Sequence, residues 1–214
     1  MFMHQGGFHL LVNMFSLFFI GGFCERLIGK KRFIGLYLVS GIIASIVFVF
    51  FAYIGQNFSL GPQIFGDVND LAAGASGALF GLLGLLAVII PYHKVYLILG
   101  PLVILILQTV LYSFVPESIS TFFLIGMNIL MFVSLFALFS SNKRFRRFAF
   151  PVSLSLWIAP IVAIAPLVLI SFFVKMPIGN SARFGGLLVG LIYGWYLLLK
   201  YPRKVIMLRR FLGS

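Results

Sequence analysis

The sequence predicts an all-α polytopic membrane protein with about seven transmembrane helices. Three observations carry that prediction. Of 214 residues, 62% are hydrophobic and only 9% charged, with a mean hydropathy of +1.14, well outside the range of water-soluble domains. The apolar residues fall into seven segments, each near the ~20 residues that a helix needs to cross a bilayer. The basic residues stand in short clusters between those segments, on alternate connections. No stretch has the composition of a soluble domain, so residues 1–214 read as one membrane domain.

The elements follow in order. Residues 1–7 are uncharged apart from His4 and lack a basic n-region, so no cleavable signal peptide is expected. The first span runs Phe8–Phe23 and closes in Glu25-Arg26 and Lys30-Lys31-Arg32; the second runs Phe33–Ile54. Residues 55–73 form a polar loop with Gly61-Pro62, Asp67 and Asp70. The third span covers Gly74–Pro91 and the fourth Val95–Val115, followed by a turn at Pro116-Glu117-Ser118. The fifth runs Ile119–Ser140 and ends in Lys143, Arg144, Arg146 and Arg147. The sixth, Phe148–Val174, holds Pro151, Pro160 and Pro166, where bends are expected. The seventh runs Phe184–Leu199 into a basic tail. The first and last spans are short, and their polar flanks are expected to extend them.

Charge orients the set. The connections after spans one, three, five and seven hold 14 of the 16 Lys and Arg residues; the other side has only Lys175 and Arg183. Basic residues stay in the cytoplasm, so the N-terminus is expected outside and the C-terminus inside the cell membrane. Asp67, Asp70 and Glu117 then fall outside. The net charge of +12 is therefore topological and does not describe a groove for nucleic acid. The single cysteine, Cys24, excludes an internal disulfide framework and any multi-cysteine metal site, and reads as a small apolar filler.

Gly74-Ala75-Ser76-Gly77-Ala78-Leu79-Phe80-Gly81 opens the third span. By itself such a run is helix-packing material, with Gly77 and Gly81 letting helices approach and the serine capping or bonding to backbone. It is not the Gly-x-Ser-x-Gly elbow of soluble hydrolases, because Ala78 stands at the second glycine. Topology brings it company. His9 and Asn13, at i and i+4 on one face of span one, lie at the same outer depth, as does Arg183 before span seven. Polar groups within a bilayer are costly, and their convergence marks a functional site. The bland alternative is that they only bond helices together. Span seven carries Gly186, Gly190 and Gly194 against Gly77, Gly81 and Gly84 of span three, so these two faces are expected to pack with backbones close.

Three stretches together resemble the rhomboid family of intramembrane serine proteases. His4-Gln-Gly-Gly-Phe-His9-Leu-Leu-Val-Asn13-Met is similar to the start of the family's second core helix, and Gly74-Ala75-Ser76-Gly77 to its nucleophile motif. Gly179-Asn180-Ser181-Ala182-Arg183-Phe184-Gly185-Gly186 resembles the last core helix, and Glu25-Arg26 with Gly29 the first cytoplasmic loop. The resemblance implies that Ser76 is the nucleophile and that His9, Asn13 and the Ser76 amide form an oxyanion hole. It implies that Phe80 packs against the base. No metal or organic cofactor is implied, and the implied partners are single-span membrane substrates and the lipid bilayer.

The chain departs from that pattern in three ways. Arg183 holds the position of the general-base histidine, and a guanidinium cannot accept the serine proton. His93 lies at the opposite end and His4 would need a fold-back, so neither replaces it. The family's first core helix and large first loop do not precede His4. Two additional spans, read as a helical hairpin over 92–147, stand between the serine span and the last one. The expected function is an intramembrane serine endopeptidase whose activity Arg183 impairs or abolishes. The alternative is an inactive rhomboid-like protein that binds or escorts membrane segments. A transporter fits less well, lacking midplane charges and inverted repeats.

Overall fold

The computed structural model describes residues 2–4, 6–69, 74–172 and 179–212. The chain is mainly helical and divides into two compact units, Met1–Lys94 with Ser155–Ser214, and Val95–Leu154.

In the first unit, α1 (Gly7–Ser16) runs through a π-helical turn (Leu17–Gly21) directly into α2 (Gly22–Ile28). The resulting rod, Gly7–Ile28, is long and apolar enough to cross a membrane and extends five residues beyond the expected end at Phe23. It stops at Gly29, whose φ of 84° is open to glycine and strained for other residues. Helix α3 (Lys30–Gly55) follows, then the short α4 (Gly61–Phe65) with Pro62 in its first turn. Helix α5 (Ser76–Ile89) is apolar on every side and accordingly lies at the centre, with Leu82, Leu85 and Leu86 at most 1% exposed. Helices α3 and α10 (Asn180–Lys200) pack on it and on each other. Helix α9 (Ala159–Ser171) lies against α5 and α10.

Glycines set the separation of α5 and α10. A Cβ added to Gly186 would overlap the Gly77 carbonyl oxygen, and one on Gly190 would overlap that of Gly81. In return, a Cβ on Gly84 would sit 2.6 Å from the Leu187 oxygen. The two backbones touch along three turns, the geometry small-residue faces allow. Helix α3 closes the third side, with Ala44 against Gly77 and Ser40 against Gly81. The basic tail, expected only as a tail, is helical as α11 (Pro202–Phe211); Arg209 holds it by donating from Nε to the Ile89 oxygen and from Nη2 to the Val88 oxygen, both at 2.9 Å. Those are the carbonyls left open at the end of α5.

The second unit contains α6 (Gly100–Tyr112), α7 (Glu117–Ala137), α8 (Lys143–Arg146) and a 3-10 turn (Arg147–Ala149). Ser134 donates to the Phe148 oxygen at 2.9 Å and also covers Gly100, tying α6, α7 and the turn together. The chain enters and leaves this unit through β1 (Lys94–Ile98) and β2 (Pro151–Ser155), which pair as a two-stranded sheet.

These strands correct two expected spans. The fourth was expected to be helical from Val95, yet its helix starts at Gly100; the sixth was expected to be helical from Phe148, yet α9 starts at Ala159. The reason is local chemistry. Val95, Tyr96 and Ile98 favour extended backbone, Pro101 disfavours a helix before it, and Phe150 with φ 44° turns the chain into Pro151. Among the described residues four helical stretches are long and apolar enough to span, namely Gly7–Ile28, Lys30–Gly55, Glu117–Ala137 and Asn180–Lys200. Helices α5, α6 and α9, at 14, 13 and 13 residues, measure about 20 Å each, short of a ~30 Å hydrocarbon core. Asp70, Lys175 and the end of the expected sixth span lie outside the described residues.

Candidate active site

Ser76 is the first residue of α5 and is half-buried. Two residues before it, Gly74 takes φ 110°, a conformation closed to side chains without strain. The absent side chain matters doubly here. A Cβ on Gly74 would lie 2.7 Å from His9 Cε1, 2.8 Å from His9 Nε2 and 3.7 Å from Asn13 Nδ2. Helix α1 therefore lays His9 and Asn13 against the segment leading into the serine.

Asn13 is 3% exposed and donates through Nδ2 to the His9 carbonyl at 2.8 Å, which holds its amide on the His9 side of the helix. The second Nδ2 proton is left for another acceptor. The His9 ring meets His4 edge-on at 5.3 Å, and the Arg183 charge also reaches it. Helix α1 thus delivers donors to the serine segment from one side, and α10 delivers a cation from another.

The first turns of α5 and α10 lie side by side, since a Cβ on Gly77 would be 3.3 Å from the Ala182 oxygen. Arg183 follows directly and is half-buried. Its Nη1 donates to Asn180 Oδ1 at 3.3 Å, Asn180 Nδ2 donates to Ser171 Oγ at 3.0 Å, and Ser171 Oγ donates to the Leu167 oxygen at 2.8 Å. A polar chain runs from the guanidinium into α9. Ser181 donates to the Phe65 oxygen at 2.7 Å and fastens the start of α10 to α4. Asp67 accepts from Asn69 N at 3.0 Å and from Asn69 Nδ2 at 3.2 Å in the loop that follows.

Phe80, four residues after Ser76, shares its helix face and is half-buried. Gly77, Gly81, Gly186 and Gly190 occupy the backbone contacts between α5 and α10 described above. Asn180 and Ser171 were not singled out in the sequence as functional. Their signal was the polar residue within apolar sequence, which in a membrane needs a partner. Among the described residues no group of three His, Cys, Asp or Glu side chains could hold a metal ion. Chemically, the arrangement offers the Ser76 hydroxyl at the start of α5, donors on the neighbouring helix, and a permanent cation. It offers at position 183 no acceptor for the hydroxyl proton.

A family model for the rhomboid domain matches residues 1–122 of the 214, more than half of the chain. The chain is 32% identical over 100 residues to Rhomboid protein 1, mitochondrial, of Saccharomyces cerevisiae, covering 47% of this chain and 26% of that protein. It is 34% identical over 85 residues to Rhomboid protease AarA of Providencia stuartii, covering 38% and 29%. It is 35% identical over 69 residues to Inactive RHOMBOID-like protein 8 of Arabidopsis thaliana, covering 32% and 20%. The matched part thus spans less than a third of each of these relatives, which by name include a protease and an inactive protein. No solved structure is a significant match. The matched domain, together with the apolar helices that carry it, settles the kinship: the chain belongs to the rhomboid family.

Proposed function

We propose that this rhomboid is built as an intramembrane serine endopeptidase that cleaves transmembrane helical segments near the outer membrane face, and that Arg183 leaves it weak or inactive in that role. The observation that carries the reading is the backbone contact of α5 with α10 at Gly77 and Gly186, which brings the first turns of the two helices together and supports pairing Ser76 with position 183. Ser76 is the nucleophile. His9 and Asn13 supply donors to the oxyanion, where each well-placed donor contributes about 3–4 kcal/mol. The start of α5 adds the positive end of its dipole. Phe80 forms the wall beside the base position. A neutral imidazole at 183 would take the Ser76 proton as Oγ attacks the scissile carbonyl carbon, and return it to the leaving amine. Arginine cannot take it.

The second reading is a rhomboid-like protein that holds membrane segments without cleaving them. The bond chain from Arg183 through Asn180 and Ser171 supports it, because it gives the guanidinium a settled place. We further propose that the hairpin read at 92–147, most of which falls in the compact unit Val95–Leu154, is an insertion, and that the protein lies in the cell membrane with its N-terminus outside. Reaction of the purified chain with a serine-directed fluorophosphonate, alongside cleavage of a single-span model substrate, separates the two readings. Arg183→His is expected to label at Ser76 and to cleave. A silent Arg183→His protein of unchanged stability would favour the holding role.

A further inference from the structure

Three cations converge on one ring where α10 ends. The Arg32 guanidinium lies 5.3 Å from the Tyr201 ring centroid, the Lys204 ammonium 5.6 Å and the Lys200 ammonium 5.8 Å. Arg32 Nη2 donates to the Tyr201 hydroxyl at 3.4 Å. Lys200 Nζ donates to the Tyr196 hydroxyl at 2.6 Å. Arg32 stands in the first turn of α3, where the helix dipole is itself positive. Attraction to a half-buried aromatic ring at the surface is weak and does not cancel the mutual repulsion of three cations around it. Such a cluster is complete only with an anion.

Its place in the fold says which anion. Helices α3 and α10 are both long and apolar enough to cross a bilayer, and the cluster joins the first turn of one to the last residue of the other. It therefore stands at headgroup depth. Along α10 below it, Ile192, Trp195 and Leu199 are 69%, 59% and 76% exposed at i, i+3 and i+7, an outward apolar stripe leading to Lys200. Inorganic phosphate would use the cations and leave the stripe unused. A phospholipid would use both.

We propose that Arg32, Lys200 and Lys204, gathered around Tyr201, bind the phosphate of an anionic phospholipid headgroup, with an acyl chain lying on Ile192, Trp195 and Leu199. The guanidinium fork takes two phosphate oxygens, the two ammonium groups take the remaining charge, and their stems lie along the apolar surface. Arg209, by fastening α11 to the end of α5, fixes Lys204 in position. Basic pockets between membrane helices bind anionic headgroups by this chemistry.

The test uses the full chain in detergent, with Trp157→Phe so that Trp195 is the remaining one of the two tryptophans. Phosphatidylglycerol and phosphatidylcholine with brominated acyl chains are titrated separately, and Trp195 quenching is read. Phosphatidylglycerol is expected to quench saturably, with a midpoint at least about tenfold below that of phosphatidylcholine. Arg32→Gln with Lys204→Gln should raise that midpoint about tenfold or more, and Arg144→Gln with Arg146→Gln should not. Millimolar inorganic phosphate should not compete. If the double variant melts early, Lys200→Met, a change at an exposed side chain, should still raise the midpoint several-fold. Equal quenching by both lipids, an unmoved midpoint in the cation variants, or displacement by inorganic phosphate would overturn the proposal.

Discussion

On the proposed protease reading, a guanidinium stands at position 183 where hydrolysis by Ser76 would call for a neutral proton acceptor. The cost of losing one member of a nucleophile–base pair is large because the two act as a unit. Arg183→His is therefore expected to raise fluorophosphonate labelling of Ser76 by roughly a thousandfold or more, and Ser76→Ala in that background to remove it. Strong labelling with Arg183 still in place would show that a different base serves Ser76. Gly74 is tested in the same background. Its φ of 110° and its contact with the His9 ring leave no room for a methyl group. Gly74→Ala should cost about 1–3 kcal/mol of stability in backbone strain. It should also push His9 away, so labelling should fall further than the change in melting temperature explains.

Between elements, the separation of α5 and α10 is set by glycines facing carbonyl oxygens, a contact with no slack. Gly190→Leu is expected to lower stability by about 1–3 kcal/mol through overpacking, read as a fall in melting temperature in detergent. Gly126→Ala in α7 is the matching control, because a Cβ there would meet nothing within 4 Å. It should be neutral or stabilise by up to about 1 kcal/mol, as alanine does over glycine in a helix. An unchanged melting temperature for Gly190→Leu would mean that these backbones do not touch in the membrane. The same contact sets the first turns of α5 and α10 side by side. Spreading the helices by one side chain would separate their first turns.

For the molecule as a whole, the proposed orientation rests on the 14 basic residues that the sequence reading puts on one side. In a Cys24→Ala background, cysteines introduced beside Asp67 and Glu117 should react with an impermeant maleimide on intact cells, and one at Arg144 should not. Labelling at 144 would reverse the orientation and the outer-face reading of the site. The unit Val95–Leu154 offers a second test. Leu156 N donates to the His93 oxygen at 3.0 Å, so the chain ends on either side of that unit already meet. Replacing 95–154 by a short Gly-Ser linker should leave the α3, α5 and α10 core folded, judged by a cooperative melt. Loss of a cooperative transition would show that the unit belongs to the fold rather than being inserted in it.

Composition and apolar run length are local, so membrane-helix segments were legible in the sequence, and α3, α7 and α10 lie close to their expected positions. So was the wealth of small residues at Gly77, Gly81, Gly186 and Gly190, because packing faces in membranes announce themselves by period. Family membership was legible for the same reason, as short motifs in fixed order. What depended on residues distant in the chain was not. The pairing of Lys94–Ile98 with Pro151–Ser155 turned two expected helix starts into strands, since extended backbone in an apolar run is stable only when its partner arrives. The anchorage of Arg183 on Asn180 and Ser171 needs α9 and α10 to meet in space. The gathering of Arg32, Lys200 and Lys204 around Tyr201 joins residues 169 positions apart. Sequence determined which residues must be buried in lipid or in each other; only tertiary structure decided which charges would meet, because Coulomb energy depends on distance in space.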